Sequence, residues 1–300
     1  MTAVDARQMT FASEKAAVDA ALASFANLYL RAIDGPVADA VTYSMLGEGK
    51  RLRAILLVTS YHAAGGTHDV SALAAAVEVV HAYSLVHDDL PCMDDDDMRR
   101  GRPTVHRAYG IPAATAAGLA MVPLAARAAA DACRALALGD AVAGAIVGEL
   151  MRASGAGGMV GGQLYDLEGE GAPLTLAELE RVHRMKTGAL IRASVCIGGL
   201  AALASPETLE AFDRYGAAIG LAFQIADDVL DVTSTTDELG KTAGRDAELK
   251  KSTYPALLGL DGAKARADRL CEDACVALRE AGIRSPQLES LARFVVDRRS

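Results

Sequence analysis

Apolar residues recur three and four positions apart through most of the chain, with little strict alternation. That period predicts helices over residues 11–33, 37–64, 71–90, 112–137, 140–153, 176–204, 206–232 and 251–281. Thr175 followed by Glu178 carries a capping-box signature. Ser205-Pro206-Glu207 starts another helix with proline at its first position. There is no train of short strands separated by turn dipeptides, no repeat at a solenoid period and no Ser/Pro-rich linker. Gly155, Gly157, Gly158, Gly161 and Gly162 predict a kinked helix or a place where helices approach closely. The expectation is an all-α protein, one domain over residues 1–300, although 300 residues alone would suggest about two domains.

Composition narrows this picture. Hydrophobic residues make up 51% and charged residues 23%, which is globular rather than disordered. Aromatics are 4%, with no tryptophan, and this Ala-rich, aromatic-poor balance favours helix over sheet. The net charge of -9 argues against a nucleic-acid partner, because such binding draws its affinity from a basic surface. Cys92, Cys133, Cys196, Cys271 and Cys275 form no C-x-x-C pair. They suggest neither a zinc ribbon nor a disulfide framework, and a reducing, cytoplasmic setting is expected. The N-terminus lacks a basic head followed by an apolar run, so no signal peptide is expected. The uncharged stretch 108–126 nearly reaches bilayer length. It contains Gly110, Pro112, Gly118 and Pro123 and is read as a buried helix, not a membrane span.

Two acidic clusters carry the chemistry. DDLPCMDDDD (Asp88 to Asp97) follows the apolar helix pattern VEVVHAYSLVH, and DDVLD (Asp227, Asp228, Asp231) follows YGAAIGLAFQIA. A charge run is ordinarily a solvated face. Here each run ends a hydrophobic helix, where an uncompensated carboxylate is costly. A divalent cation is the simplest compensation, and oxygen ligands without cysteine favour Mg²⁺ or Ca²⁺. Asp227 and Asp231 lie roughly 40° apart around a helix, with Gln224 on the same stripe. Asp88 and Asp94 would be about 120° apart on an ideal helix, but Pro91 disrupts it. His81 falls on the face of Asp88, two turns deeper. Neither cluster has the glycine and glutamate of an EF-hand.

Cations gather nearby in sequence: Lys50, Arg51 and Arg53; Arg99, Arg100 and Arg102; Lys186; Lys241 and Arg245; Lys250 and Lys251. GEGK is not a P-loop, because Ser44 stands where the first glycine belongs and Arg51 follows the lysine. Metals with many cations imply more than one diphosphate, and an apolar helical interior implies an attached hydrocarbon.

The ordered set HAYSLVHDDLPCMDDDDMRRGRPTVH, FQIADDVLDVT, GEGKRLR and KSTYPALLGL closely resembles the trans-isoprenyl diphosphate synthases, most of all the bacterial farnesyl diphosphate synthases (geranyltranstransferases). The likeness runs from roughly residue 25 to 295. It departs from the family pattern at Glu48, at Ala54 where proline is usual, and at Arg245 where lysine is frequent. The resemblance implies the isoprenoid synthase fold, a single helical bundle around a central cavity, and a homodimer. It implies that Asp88, Asp89, Asp94, Asp227, Asp228 and Asp231 hold Mg²⁺ on an allylic diphosphate contacted by Arg99, Lys186 and Lys241. It implies that Lys50, Arg53, His81 and Arg100 bind isopentenyl diphosphate. Thr187 and Gln224 would face the developing carbocation, and Lys251 would help close the site. It places the product-length limit at Tyr83, which suggests a C15 product, whereas helical spacing alone points to Ser84 and leaves C20 open. Geranylgeranyl diphosphate synthesis is the nearest alternative. A non-catalytic subunit is disfavoured because every aspartate is present, and a terpene cyclase because a second DDxxD-type motif is present. A phosphohydrolase would want metal-binding histidines, and only His87 stands near the carboxylates.

Overall fold

The structure, a computed structural model, describes residues 11–31, 33–169, 171, 173–233 and 252–297. Helices α1 (Ala12–Tyr29), α2 (Pro36–Met45), α3 (Leu52–Ala63) and α4 (Ser71–Asp88) lead into a small antiparallel hairpin of β1 (Met98–Arg99) and β2 (Arg102–Pro103). Then come α5 (Val105–Tyr109), α6 (Ile111–Ala135), α7 (Asp140–Ser154), α8 (Met159–Glu168) and α9 (Leu176–His183). One π-helical turn, Arg184–Gly188, joins α9 to α10 (Ala189–Ala201). The described chain ends with α11 (Pro206–Thr233), α12 (Tyr254–Glu280) and α13 (Pro286–Asp297). The fold is all-α.

Helix α4 is the central element. From Leu73 to Val80 every residue is buried and all but Glu78 are apolar, as in a helix enclosed on all sides. It packs on α6 and also meets α1, α2 and α3. Helix α10 lies between α3 and α11, and α11 packs along α12. The apolar interior forms two clusters. One joins α1, α2, α4, α6 and α7; the other joins α11, α12 and α13; α3 and α10 contribute to both. Both acidic sequences therefore sit at the C-terminal ends of core helices, where the helix dipole repels a carboxylate.

Several helix bounds differ from the periodic reading, each for a local reason. The helix expected over 37–64 is broken after Met45 and resumes at Leu52. Arg51 stands at the break in a left-handed conformation (φ 52°), which costs a non-glycine residue about 1–2 kcal/mol. The helix expected over 11–33 stops at Tyr29, and the one over 176–204 contains the π turn. Within the last expected helix, α12 bends at Gly259 (φ 71°). Helices α5, α8 and α13 lie outside the helices that the pattern predicts. The glycines before and within α8 do mark a close approach: a Cβ on Gly162 would overlap the backbone of Lys186. Thr175 and Glu178 form the expected capping box. Helix α6 is the one described helix long and apolar enough to cross a membrane, judged by length and composition. Its buried residues include Ala114, Ala117, Met121 and Ala125.

The crossing of α10 with α3 is tight at Gly198, where a Cβ would overlap Ser60 Oγ and the Leu57 carbonyl. Backbone cannot move aside as a flexible side-chain tip can. Gly198→Ala should therefore destabilise the fold by about 1–3 kcal/mol, read as a lowered thermal midpoint.

Candidate active site

Helix α4 ends at Asp88, and the chain then turns rather than continuing. The Asp94 N–H donates to the Asp88 carbonyl at 2.8 Å, which closes the loop and brings Asp94 back beside Asp88. Burial pushes the Asp88 carboxyl from its ordinary 3.8 up to about 6; Asp94 and Asp89 add to this, against Lys186 and Arg99. Across the site, α11 presents Gln224, Asp227 and Asp228 in its last turns. A cavity of about 180 Å³ is lined by Asp94 from the first acidic sequence and by Asp227 and Asp228 from the second, together with Asp166, His183 and Lys186. The two acidic sequences thus meet, although about 130 residues separate them along the chain.

The π turn supplies the other wall. Its wider backbone places Lys186 and Thr187 against α8 and α11, a common functional use of this geometry. Lys186 Nζ is 2.6 Å from Asp166 Oδ2 of α8. Thr187 Oγ1 donates to Gln224 Oε1 at 2.8 Å, and Gln224 Nε2 donates to Asp228 Oδ1 at 3.3 Å. The Tyr254 N–H donates to Asp228 Oδ2 at 3.0 Å. Asp228 is thereby tied to the start of α12, while Asp227 is half-buried on the cavity. Asp231, one turn on, is buried.

The expected ligand Asp89 faces elsewhere. It is buried and held by Arg99, whose Nε donates to Asp89 Oδ1 at 2.8 Å and Oδ2 at 3.0 Å, and whose Nη2 donates to Oδ1 at 2.6 Å. Both residues line a small cavity of about 70 Å³ with Tyr43, Arg100 and Arg102. Burial raises the Asp89 carboxyl, and its bonds to Arg99 oppose that rise.

A separate basic group surrounds His81. Arg53 Nη1 is 3.3 Å from His81 Nε2. A guanidinium can only donate, so Nε2 accepts and the ring proton belongs on Nδ1. Nδ1 is enclosed and has no hydrogen-bond partner among the described residues. Burial holds the imidazole well below its ordinary 6.5, with Arg53, Arg100, Arg99 and Arg51 adding their repulsion. Arg100 Nη1 donates to the Glu48 carbonyl at 2.5 Å. Lys50 stands apart, its Nζ 5.9 Å from the Phe294 ring centroid, beside a cavity of about 300 Å³.

The Tyr83 ring meets His87 edge-on at 5.0 Å. Its hydroxyl is raised by burial and by Asp88. Ser84 Oγ donates to the His81 carbonyl at 2.8 Å. Lys241, Arg245 and Lys251 lie outside the described residues. Asp166 and His183 were missed by the sequence reading; the available signal for Asp166 was a carboxylate following apolar and glycine positions on a short helix, with Glu168 two residues on.

The donor set suits a hard divalent ion. It is made of carboxylate oxygens, one of them raised by burial and needing a positive partner to ionise cheaply. A second group, Asp95, Asp97 and His106, also gathers ligand atoms within 4.8 Å of one another, but Arg107 Nε already donates to Asp97 Oδ1 at 2.6 Å.

The Polyprenyl synthetase family model matches residues 35–279. Farnesyl diphosphate synthase of Escherichia coli (strain K12) is 47% identical over 268 residues, covering 88% of this chain and 89% of that protein. Geranylgeranyl pyrophosphate synthase 7 of Arabidopsis thaliana is 41% identical, covering 87% of this chain and 76% of that protein. A crystal structure of geranyltransferase from Helicobacter pylori, complexed with magnesium and isoprenyl diphosphate, is 29% identical with a TM-score of 0.81, covering 97% of this chain and 96% of that one.

The raised value at Asp88 has a thermodynamic sign. The native state binds this proton more tightly than the unfolded chain, so ionising Asp88 costs native stability, increasingly so as pH rises from about 4 to about 6. Without divalent cations, Asp88→Asn should melt above the parent at pH 8, with the gap narrowing toward pH 4, as read by thermal denaturation.

Proposed function

The chain belongs to the polyprenyl synthetase family and is a prenyltransferase, and from that premise we propose that it condenses isopentenyl diphosphate with dimethylallyl or geranyl diphosphate to give farnesyl diphosphate and diphosphate, with one proton lost from the adduct. The observation that carries this reading is the single cavity lined by Asp94, Asp227, Asp228 and Lys186. Asp88, Asp94 and Asp227 are the metal ligands this arrangement favours. Asp89, Asp228 and Asp231 support them from buried positions, two of them through bonds to Arg99 and Tyr254. When bound, Mg²⁺ would neutralise the leaving diphosphate and lower the barrier to C–O cleavage.

The chain's own residues do the rest. Lys186 adds positive charge beside the leaving group on the cavity it lines, and Arg99, held on Asp89, and Lys241 are assigned the same role. Thr187 and Gln224 hold fixed dipoles at the reacting carbon, linked to each other and to Asp228. Such preorganised dipoles stabilise developing positive charge without reorganisation. His81, kept neutral, offers its Nδ1 proton to an oxygen of isopentenyl diphosphate; Arg53, Arg100 and Lys50 supply the charge. Lys251 is assigned to closing the site against water.

Tyr83, with its ring fixed on His87, supports a C15 product. The small Ser84 beside it keeps geranylgeranyl diphosphate as the second reading. The exposed apolar side chains of Ile111 and Leu119 on α6 support a homodimer through that face. A single domain over residues 1–300 and a cytoplasmic setting complete the assignment.

Purified protein given Mg²⁺, isopentenyl diphosphate and geranyl diphosphate should release farnesyl diphosphate, and EDTA should abolish the reaction. Chromatography of the dephosphorylated alcohols reads the chain length; a C20 main product would move the assignment to the second reading. Asp88→Ala or Asp227→Ala should each lower kcat by at least about a thousandfold. Near-parental turnover in either would remove the metal assignment.

A further inference from the structure

Arg51 lies between the two residues assigned to isopentenyl diphosphate, Lys50 and Arg53, yet its own side chain is turned into the protein. Its Nε donates to Asp19 Oδ1 of α1 at 2.8 Å. Its Nη2 donates to the Met45 carbonyl at 3.2 Å and the Gly47 carbonyl at 2.8 Å, at the end of α2. Its Nη1 stands 3.9 Å from Glu78 Oε2 of α4. The guanidinium is only 9% exposed. These contacts hold the residue in its left-handed conformation, and that conformation sets the turn on which Lys50 and Arg53 are carried.

Glu78 is the least expected member of this group. It is a carboxylate 4% exposed, in the middle of the buried core helix α4 and three residues before His81. Its Oε1 accepts the Ala54 N–H at 3.1 Å, in the first turn of α3. Its charge acts on Arg100, whose proton affinity it raises against the effect of burial. Four guanidiniums bear on His81: Arg53, Arg100, Arg99 and Arg51. Arg99 is answered by Asp89, while the buried Glu78 carboxylate stands beside Arg51 and its charge, with that of Asp89, favours the charged form of Arg100. Like charges confined together repel unless a fixed counter-charge holds them.

We propose that Glu78 is a positioning residue for isopentenyl diphosphate, its buried carboxylate holding Arg51 and Arg100 so that Lys50, Arg53 and His81 stand at fixed spacing before substrate arrives. It touches no substrate itself. The inference rests on the assignment of Lys50, Arg53, His81 and Arg100 to that substrate. A helix-capping role is separable, because proline at position 54 removes the N–H that Glu78 accepts while leaving the charge in place, and proline is tolerated in a first helical turn.

Steady-state kinetics with each substrate varied in turn tests this on the full-length Mg²⁺-supplied protein. Glu78→Gln keeps the size and an acceptor oxygen but loses the charge. It should raise KM for isopentenyl diphosphate about tenfold or more, with kcat and KM for geranyl diphosphate staying within about threefold. Ala54→Pro should leave all three within about twofold. Glu78→Asp, with the charge restored on a shorter arm, should recover part of the loss. An unchanged or lowered KM for isopentenyl diphosphate in Glu78→Gln overturns the proposal, as does an equal rise for both substrates or an equal effect of Ala54→Pro. If Glu78→Gln fails to fold, Asp19→Asn loosens the same arginine from the other side. It should reproduce the selective KM rise, and no rise would likewise overturn the idea. A parent protein that forms no prenyl product at all would instead refute the proposed function, so the two failures are distinct.

Discussion

A carboxylate at the C-terminal end of a buried helix meets two unfavourable terms at once. It loses hydration, and it faces the negative end of the helix dipole. This chain accepts that cost at the ends of both α4 and α11, and much of the surrounding structure follows from it. Asp88 answers by holding its proton more tightly. Asp89 answers by taking a bidentate guanidinium from the hairpin that follows. Asp228 answers by accepting from Gln224 and from the backbone that opens α12. The loop after α4, the hairpin and the start of α12 are thus placed partly by the need to serve these charges.

The opposite wall depends on close approach. Gly162 lets α8 touch the backbone at Lys186. The π turn widens the helix there, so that Lys186 reaches Asp166 and Thr187 reaches Gln224. The site is therefore built on helices rather than on long loops. Its dipoles are fixed by packing before any substrate enters, which is the condition for electrostatic catalysis.

Much of this was legible in the chain. The all-α fold follows from a helical period sustained almost throughout, and the two acidic sequences stood out because each ends an apolar run. What escaped depends on contacts made across the fold. The break between α2 and α3 is fixed by Arg51, whose partners lie on α1, on α4 and at the end of α2. Helix α8 was hidden by glycines that lower helix propensity and are repaid only by packing. The six aspartates look equivalent in sequence, yet Asp89 and Asp228 are already engaged by Arg99 and Tyr254. No spacing rule predicts those bonds.

The pairing of Lys186 with Asp166 and of Arg99 with Asp89 has a bearing on selectivity. A site of bare cations would attract any phosphate that diffused past. Here each of these two cations already has a carboxylate, so a lone anion must break those pairs and gains little in exchange. An anion that arrives with divalent cations brings replacement partners for the carboxylates it displaces. Either cation would have to leave its carboxylate before it could contact an anion, so exchange of partners rather than bare charge governs what can bind beside these pairs.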